Sequence, residues 1–124
     1  MLRVVSSFSI LKKKEHLVMT IQGTYDYSVF MELPQQILQE CNDHDSHKII
    51  LDLSAVTADE ISLIELFFIG ERIAHVLGNK IMMAMVWKRE SLSDFLVDVA
   101  TNRSARLKVF ETQQRAEYWL LNNC

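Results

Sequence analysis

Two hydrophobic periods alternate along this chain. Ile49-Ile50-Leu51-Asp52-Leu53 is a short apolar run with β-branched residues, the pattern of a buried strand. After a turn at 54–59 the period lengthens. From Glu60 to Leu77 apolar residues fill almost every position except a line at Glu65, Arg72 and His75, continued by Asn79, which predicts a helix with a narrow polar stripe. Thr57 and Glu60 have the spacing of a capping box, which would start that helix; Asp59 and Glu60 would add negative charge at its positive end. Gly78 follows the last apolar position, where a left-handed residue can close a helix.

The rest of the chain follows the same alternation. Phe8–Leu11 and Leu17–Ile21 flank Lys12-Lys13-Lys14-Glu15 and predict a hairpin with a charged tip. Ser28 to Glu40 has a helical face at Phe30, Leu33 and Ile37, continued by Cys41. Pro34 leaves two arrangements, a kink or a helix beginning at Pro34, and we favour the second. Ile81 to Trp87 is apolar on both faces and predicts a central strand. Ser91–Ala100 predicts a short helix with Leu92, Phe95, Leu96 and Val99 inward. Leu107–Phe110 alternates like an edge strand, and Thr112 precedes a last helix from Gln113 to Leu121. The sum is one α/β domain over residues 1–124: an initial hairpin, then alternating strands and helices, with a mixed sheet and helices mainly on one face. Leu51, Leu53, Ile64, Phe68, Met83, Met85 and Phe95 are the expected core.

Composition narrows the function. A net charge of −3 with no basic stripe gives no reason to expect nucleic acid. No apolar run reaches the roughly 18 residues of a membrane span, and the first residues lack the pattern of a signal peptide, so a cytoplasmic protein is expected. Cys41 and Cys124 are isolated thiols, which fits a reducing compartment. His44 and His47 with Asp43 and Asp45 supply metal-ligating types, but successive loop residues rarely converge on one ion, so no metal is expected. The motifs of serine hydrolases, zinc peptidases, P-loop proteins and dinucleotide-binding proteins do not occur, so no catalytic residue and no cofactor are assigned. Catalysis by Glu60 or His75 is a weak alternative, since His75 lies four residues from Glu71 and fits a surface pair.

Asp52-Leu53-Ser54-Ala55-Val56-Thr57, followed by an acidic position opening a helix, resembles the STAS domain of anti-sigma factor antagonists. That family typically shows D-S-S-G-L at the helix start, and its first Ser is phosphorylated by a partner kinase. Aligned without a gap, Glu60 falls on the Asp, Ile61 on the phosphorylated Ser, Ser62 on the second Ser and Leu63 on the Gly. A slip of one residue would place Glu60 on the phosphorylated Ser instead. Gly23-Thr24-Tyr25-Asp26 stands where the family has G-E-L-D, matching at Gly23 and Asp26, and the pattern runs from there to Glu60 without a gap. Read from the residues alone, Asp26 is either a partner-facing acid or a turn and cap residue.

The resemblance implies a non-enzymatic bacterial regulator. Its protein partner, an anti-sigma factor or kinase-like protein, would meet Asp26, Thr57, Asp59, Glu60, Ile61, Ser62 and Leu63. Ser62 is the remaining candidate for phosphorylation near the switch position. The surplus apolar surface of the 60–77 helix, at Leu63, Leu66 and Phe67, adds association with a partner or a second copy; the alternative cover is the last helix with Trp119 and Leu120. STAS-like folds also resemble lipid-carrier domains, so the second functional reading is a carrier or sensor of a small apolar ligand, with Phe67 and Phe68 lining its cavity.

Overall fold

A computed structural model describes residues 6–58, 60–88 and 90–122, with the side chains at 6, 7 and 90–93 excepted. Its elements are β1 (Ser6–Lys12), β2 (Leu17–Thr24), α1 (Tyr27–Asp43), β3 (Lys48–Thr57), α2 (Leu63–Leu77), β4 (Met82–Val86), α3 (Glu90–Thr101), β5 (Arg106–Phe110) and α4 (Gln113–Leu121). The five strands form one sheet in the order β1-β2-β3-β4-β5. β1 and β2 are an antiparallel hairpin; every later pair is parallel. Each parallel step moves the same way across the sheet through a helix. With right-handed crossovers, α1, α2 and α3 must then lie on one face. α4 follows the last strand and crosses to the other face.

Two cores result. The larger holds Met19, Leu51, Leu53, Met83 and Met85 from the sheet beneath Ile37 of α1, Leu66, Ile69 and Ile73 of α2, and Leu96 of α3. The smaller holds Val18, Ile50, Met82, Ala84 and Val86 beneath Ala116 and Leu120 of α4, with Phe110 and Trp119 at its margin. β3 and β4 therefore bury both sides, which is why they read as continuous apolar runs. Cys41 is fully buried, and burial pushes its thiol up to about 11, so it is a packing residue. Cys124 lies outside the described residues.

Several expectations are corrected. α1 does not begin at Pro34. It begins seven residues earlier, at Tyr27, with Asp26 as N-cap, and Pro34 lies inside it, buried. The proline costs a hydrogen bond, but Phe30 before it and Ile37 and Cys41 after it are buried on the same face and hold the helix through it. Ile64 and Phe68, expected in the core, are 63% and 42% exposed. Leu66, expected at an interface, is fully buried. The last helix does not cover α2, because the sheet stands between them. Leu96 and Val99 are buried as expected; Phe95, expected in the core, is only half-buried against it, and the side chains of Ser91 and Leu92 lie outside the described residues.

The close approach of α2 and α3 requires Gly70. A Cβ there would stand 2.9 Å from Val99 Cγ1 and 3.2 Å from the Leu96 carbonyl oxygen. Gly78 ends α2 with φ +54°, and its N–H donates to the Ala74 carbonyl.

Candidate functional site

The carboxyl ends of β2 and β3 form the edge at which α1 and α2 begin, the place where open α/β sheets commonly present binding residues. β2 and β3 run side by side to Thr24 and Thr57. The Tyr25 N–H donates to the Thr57 carbonyl at 2.7 Å, and the Thr57 hydroxyl donates to the Gly23 carbonyl at 3.3 Å. Thr57 is therefore a strand residue. The predicted capping box with Glu60 does not form, because pairing with β2 extends β3 four residues past Leu53.

α2 begins instead at Leu63. Ser62 is its N-cap and accepts from the Ile64 N–H at 3.2 Å. On α1, Asp26 accepts from the Val29 N–H at 3.1 Å and from the Ser28 hydroxyl at 2.6 Å, which is the cap role read from its position. Tyr25 ties the two helix starts together. Its hydroxyl donates to Glu65 Oε1 at 2.9 Å, and its ring meets Phe30 edge-on with centroids 5.0 Å apart. Burial first, then the bond to Glu65, holds the Tyr25 phenol well above its ordinary range, so it stays a donor.

The structure thus brings Asp26, Thr57 and Ser62 to one edge, with Glu60 and Leu63 exposed beside them. Asp59 lies outside the described residues. Ile61 departs from the expected contact set: it is only 8% exposed and packs into the larger core. Its aliphatic side chain turns inward and pins the loop.

The outer face of α2 also departs from expectation. Glu65 and Arg72, read as a solvent stripe, are half-buried and reach back to α1, Glu65 to Tyr25 and Arg72 Nε to the Met31 carbonyl at 3.2 Å. The exposed line is Leu63, Ile64 and Phe68, at 55%, 63% and 42%. Phe67 is half-buried, with Phe68 edge-on at 5.6 Å and the Arg103 guanidinium 5.3 Å from its ring centroid. Arg103 also pairs with Glu71 at 3.5 Å. The sequence reading placed Arg72 on a solvent stripe and gave Tyr25 no role, so their links between α1 and α2 were not anticipated. The available signal was the four-residue spacing from Ile64 to Phe68, which marks them as one line outside the polar residues.

The enclosed space between the sheet and the three helices is about 10 Å³, lined by apolar residues including Phe30, Leu53 and Leu96. That is the scale of a single water, so a lipid-sized ligand has no room there. At the other end of α1, His44 is the C-cap; its Nδ1 lies 2.9 Å from the Glu40 carbonyl. Among the described residues no three His, Cys, Asp or Glu side chains converge as a metal site.

A second polar junction underlies the edge. Asp52 points to the α4 face, 8% exposed. It accepts from the Ser54 N–H at 2.9 Å, the Ser54 hydroxyl at 2.6 Å and the Gln113 amide at 2.7 Å. The β2–β3 register shifts there, from Thr20 opposite Asp52 to Gln22 opposite Ala55. Asp52 thus gives the Ser54 N–H an acceptor within the irregularity. Burial raises the Asp52 carboxyl, but the bonds from Ser54 and Gln113 outweigh it and hold the group below its ordinary value.

No family model matches the sequence, and no curated protein matches it. Solved structures do match. An anti-sigma factor antagonist from Mycobacterium paratuberculosis superposes with a TM-score of 0.58 at 16% identity, over 94% of this chain and 95% of that one. An uncharacterised protein from Shewanella loihica with a SpoIIAA-like fold gives 0.57 at 16% identity, over 94% of both chains. The anti-sigma factor antagonist SpoIIAA in its unphosphorylated form gives 0.52 at 11% identity, over 95% of this chain and 99% of that one. The chain therefore has the STAS-like, SpoIIAA-type fold: a mixed five-stranded sheet with four helices. Among the described residues no helix is long and apolar enough to cross a membrane.

Proposed function

We propose that this chain is a non-enzymatic regulatory module of the bacterial cytoplasm, similar in role to an anti-sigma factor antagonist. It binds a protein partner through Asp26, Thr57, Asp59, Glu60, Ser62 and Leu63, with Ile61 anchoring the loop from below. The fold it shares with anti-sigma factor antagonists supports the class. The observation that carries the surface is the exposed line of Leu63, Ile64 and Phe68, which begins at the first residue of α2. Three large apolar side chains contiguous on one helix mark a face that another protein covers.

The switch differs from the family's. The residue at the phosphorylated position is Ile61, which has no hydroxyl and is buried. The hydroxyl of Ser62 is engaged as the α2 cap, and Glu60 keeps a permanent carboxylate one residue before Ile61. The module therefore binds without a serine switch at this edge. Stoichiometric phosphate on Ser62 in the intact mass of the native protein would overturn that part.

The binding surface is tested by Ile64→Glu and Leu63→Glu in a tagged chain expressed in its native cell. Both positions are exposed, so stability, read from the thermal midpoint, should stay within about 0.5 kcal/mol of the parent's. The complex recovered with the parent chain should be lost. Retention of a stoichiometric complex by both folded variants would refute the assignment.

A further inference from the structure

We infer that the cleft between β5 and α4, on the sheet face opposite α2, binds a flat, ring-bearing organic anion. The cleft is an open groove of about 740 Å³ lined by Lys108, Phe110, Arg115, Tyr118 and Trp119, with Thr112 at its end. That volume lies within the roughly 300–1,000 Å³ of small-molecule sites. It goes beyond the partner surface proposed above and shares no residue with it.

The local sequence builds the cleft. On β5, Lys108 and Phe110 alternate to the α4 face, while Leu107 and Val109 turn to the larger core. On α4, Ala116 and Leu120 turn to the sheet, and Arg115 and Trp119 lie one position before each, along the flank that lines the cleft. The charges of α4 are thereby sorted: Glu117 lies against His16 of the β1–β2 turn, and Arg115 lies in the cleft.

The lining combines two functions. Phe110 and Trp119 sit with ring centroids 5.7 Å apart at 45°, closing the margin of the smaller core while also lining the cleft. Tyr118 adds a third ring and is 71% exposed, with no packing role to account for it. A planar ligand stacks on such a surface. The cleft has two cations and no acidic lining residue, in a chain whose net charge is −3. Neither Lys108 nor Arg115 is paired with a carboxylate among the described residues; the Lys108 ammonium stands 5.8 Å from the Phe110 ring centroid. A carboxylate or phosphate on the stacked ring would meet Arg115 in the bidentate geometry that guanidinium favours.

The test is a titration of the isotopically labelled chain, followed by amide and indole resonances. The probes are indole-3-carboxylate, phenyl phosphate and cyclohexanecarboxylate, the last an anion without a planar ring. The expected result is saturable shifts at Lys108, Phe110, Arg115 and the Trp119 indole with at least one flat anion. That anion should bind about tenfold tighter than cyclohexanecarboxylate, the size of one stacking contact. Comparing the two flat probes identifies the head group as carboxylate or phosphate. Arg115→Gln and Lys108→Met, both at exposed positions, should each weaken binding by about tenfold, the loss of one charge-assisted contact. Equal affinity for flat and saturated anions, shifts centred elsewhere, or unchanged affinity in both folded variants would overturn the inference.

Discussion

Gly70→Ala sets two forces against each other. Alanine in a helix interior is favoured over glycine by about 1 kcal/mol, so on an open helix the substitution would stabilise. Here the new Cβ would stand 2.9 Å from Val99 Cγ1, 3.0 Å from Val99 Cβ and 3.2 Å from the Leu96 carbonyl oxygen. Carbon pairs rest at about 3.5–4.0 Å. A valine in a helix is stiff about χ1, and a carbonyl cannot rotate away, so neither neighbour yields without moving α3. Overpacking of this kind costs about 1–3 kcal/mol. The net expectation is a loss of about 0–2 kcal/mol after the propensity gain is subtracted. In a domain of this size that lowers the thermal midpoint by about 4 °C per kcal/mol. Urea unfolding monitored by circular dichroism measures it directly. Val99→Ala in the same chain removes the nearest atom, so the double substitution should recover at least about 0.5 kcal/mol relative to additivity. A stability increase of about 1 kcal/mol for Gly70→Ala alone would show that α2 and α3 are not in tight contact and would refute the packing described.

Two further predictions concern pH. His16 is 2% exposed, neither ring nitrogen makes a hydrogen bond with a described residue, and Nε2 lies 3.4 Å from Glu117 Oε2. Burial lowers its pKa, Glu117 opposes this, Lys13 and Lys48 add to the lowering, and Glu15 opposes it. The unfolded chain therefore takes up this proton at higher pH than the folded one, so stability falls as pH drops below the ordinary histidine value of about 6.5. His16→Leu should flatten the urea midpoint between about pH 7 and 5, and an unchanged slope would exclude His16 as its source. Asp52 has a lowered pKa when folded, so its contribution is full above the ordinary value of about 3.9 and is lost as pH falls through the folded value. Asp52→Asn should lower stability at neutral pH and shrink the acid-induced loss, with both effects read from urea midpoints.

The order of strands and helices was legible because period 2 and period 3.6 are written in residues that pack. β3 and β4 bury both faces and hence appear as unbroken apolar runs. The errors fell where long-range pairing competes with a local signal. Thr57-x-x-Glu60 satisfies a capping pattern, but β2 claims Thr57 for the sheet, and no local rule weighs that partner. Pro34 carries a strong local penalty, yet the buried face running from Phe30 to Cys41 outweighs it. The edge holding Asp26, Thr57 and Ser62 was legible, as three residues near two predicted helix starts. The inward turn of Ile61 and the bond from Tyr25 to Glu65, forty residues apart in sequence, belong to the tertiary arrangement.

The order of the sheet has a consequence for how the chain folds. Strands pair only with their neighbours in sequence, β1 through β5. No strand waits for a distant partner, so each loop closed is one hairpin or one helix crossover, and the closure entropy stays modest. Those crossovers still join residues far apart in sequence, Met19 with Leu51 and Leu51 with Met85, so the parallel pairs form more slowly than the amino-terminal hairpin. The second face of the sheet is different. Val18, Ile50, Met82, Ala84 and Val86 gather their cover from the nine-residue helix that follows β5. A chain emerging in order therefore carries a bare apolar face until α4 docks, and that interval is when it is most exposed to aggregation.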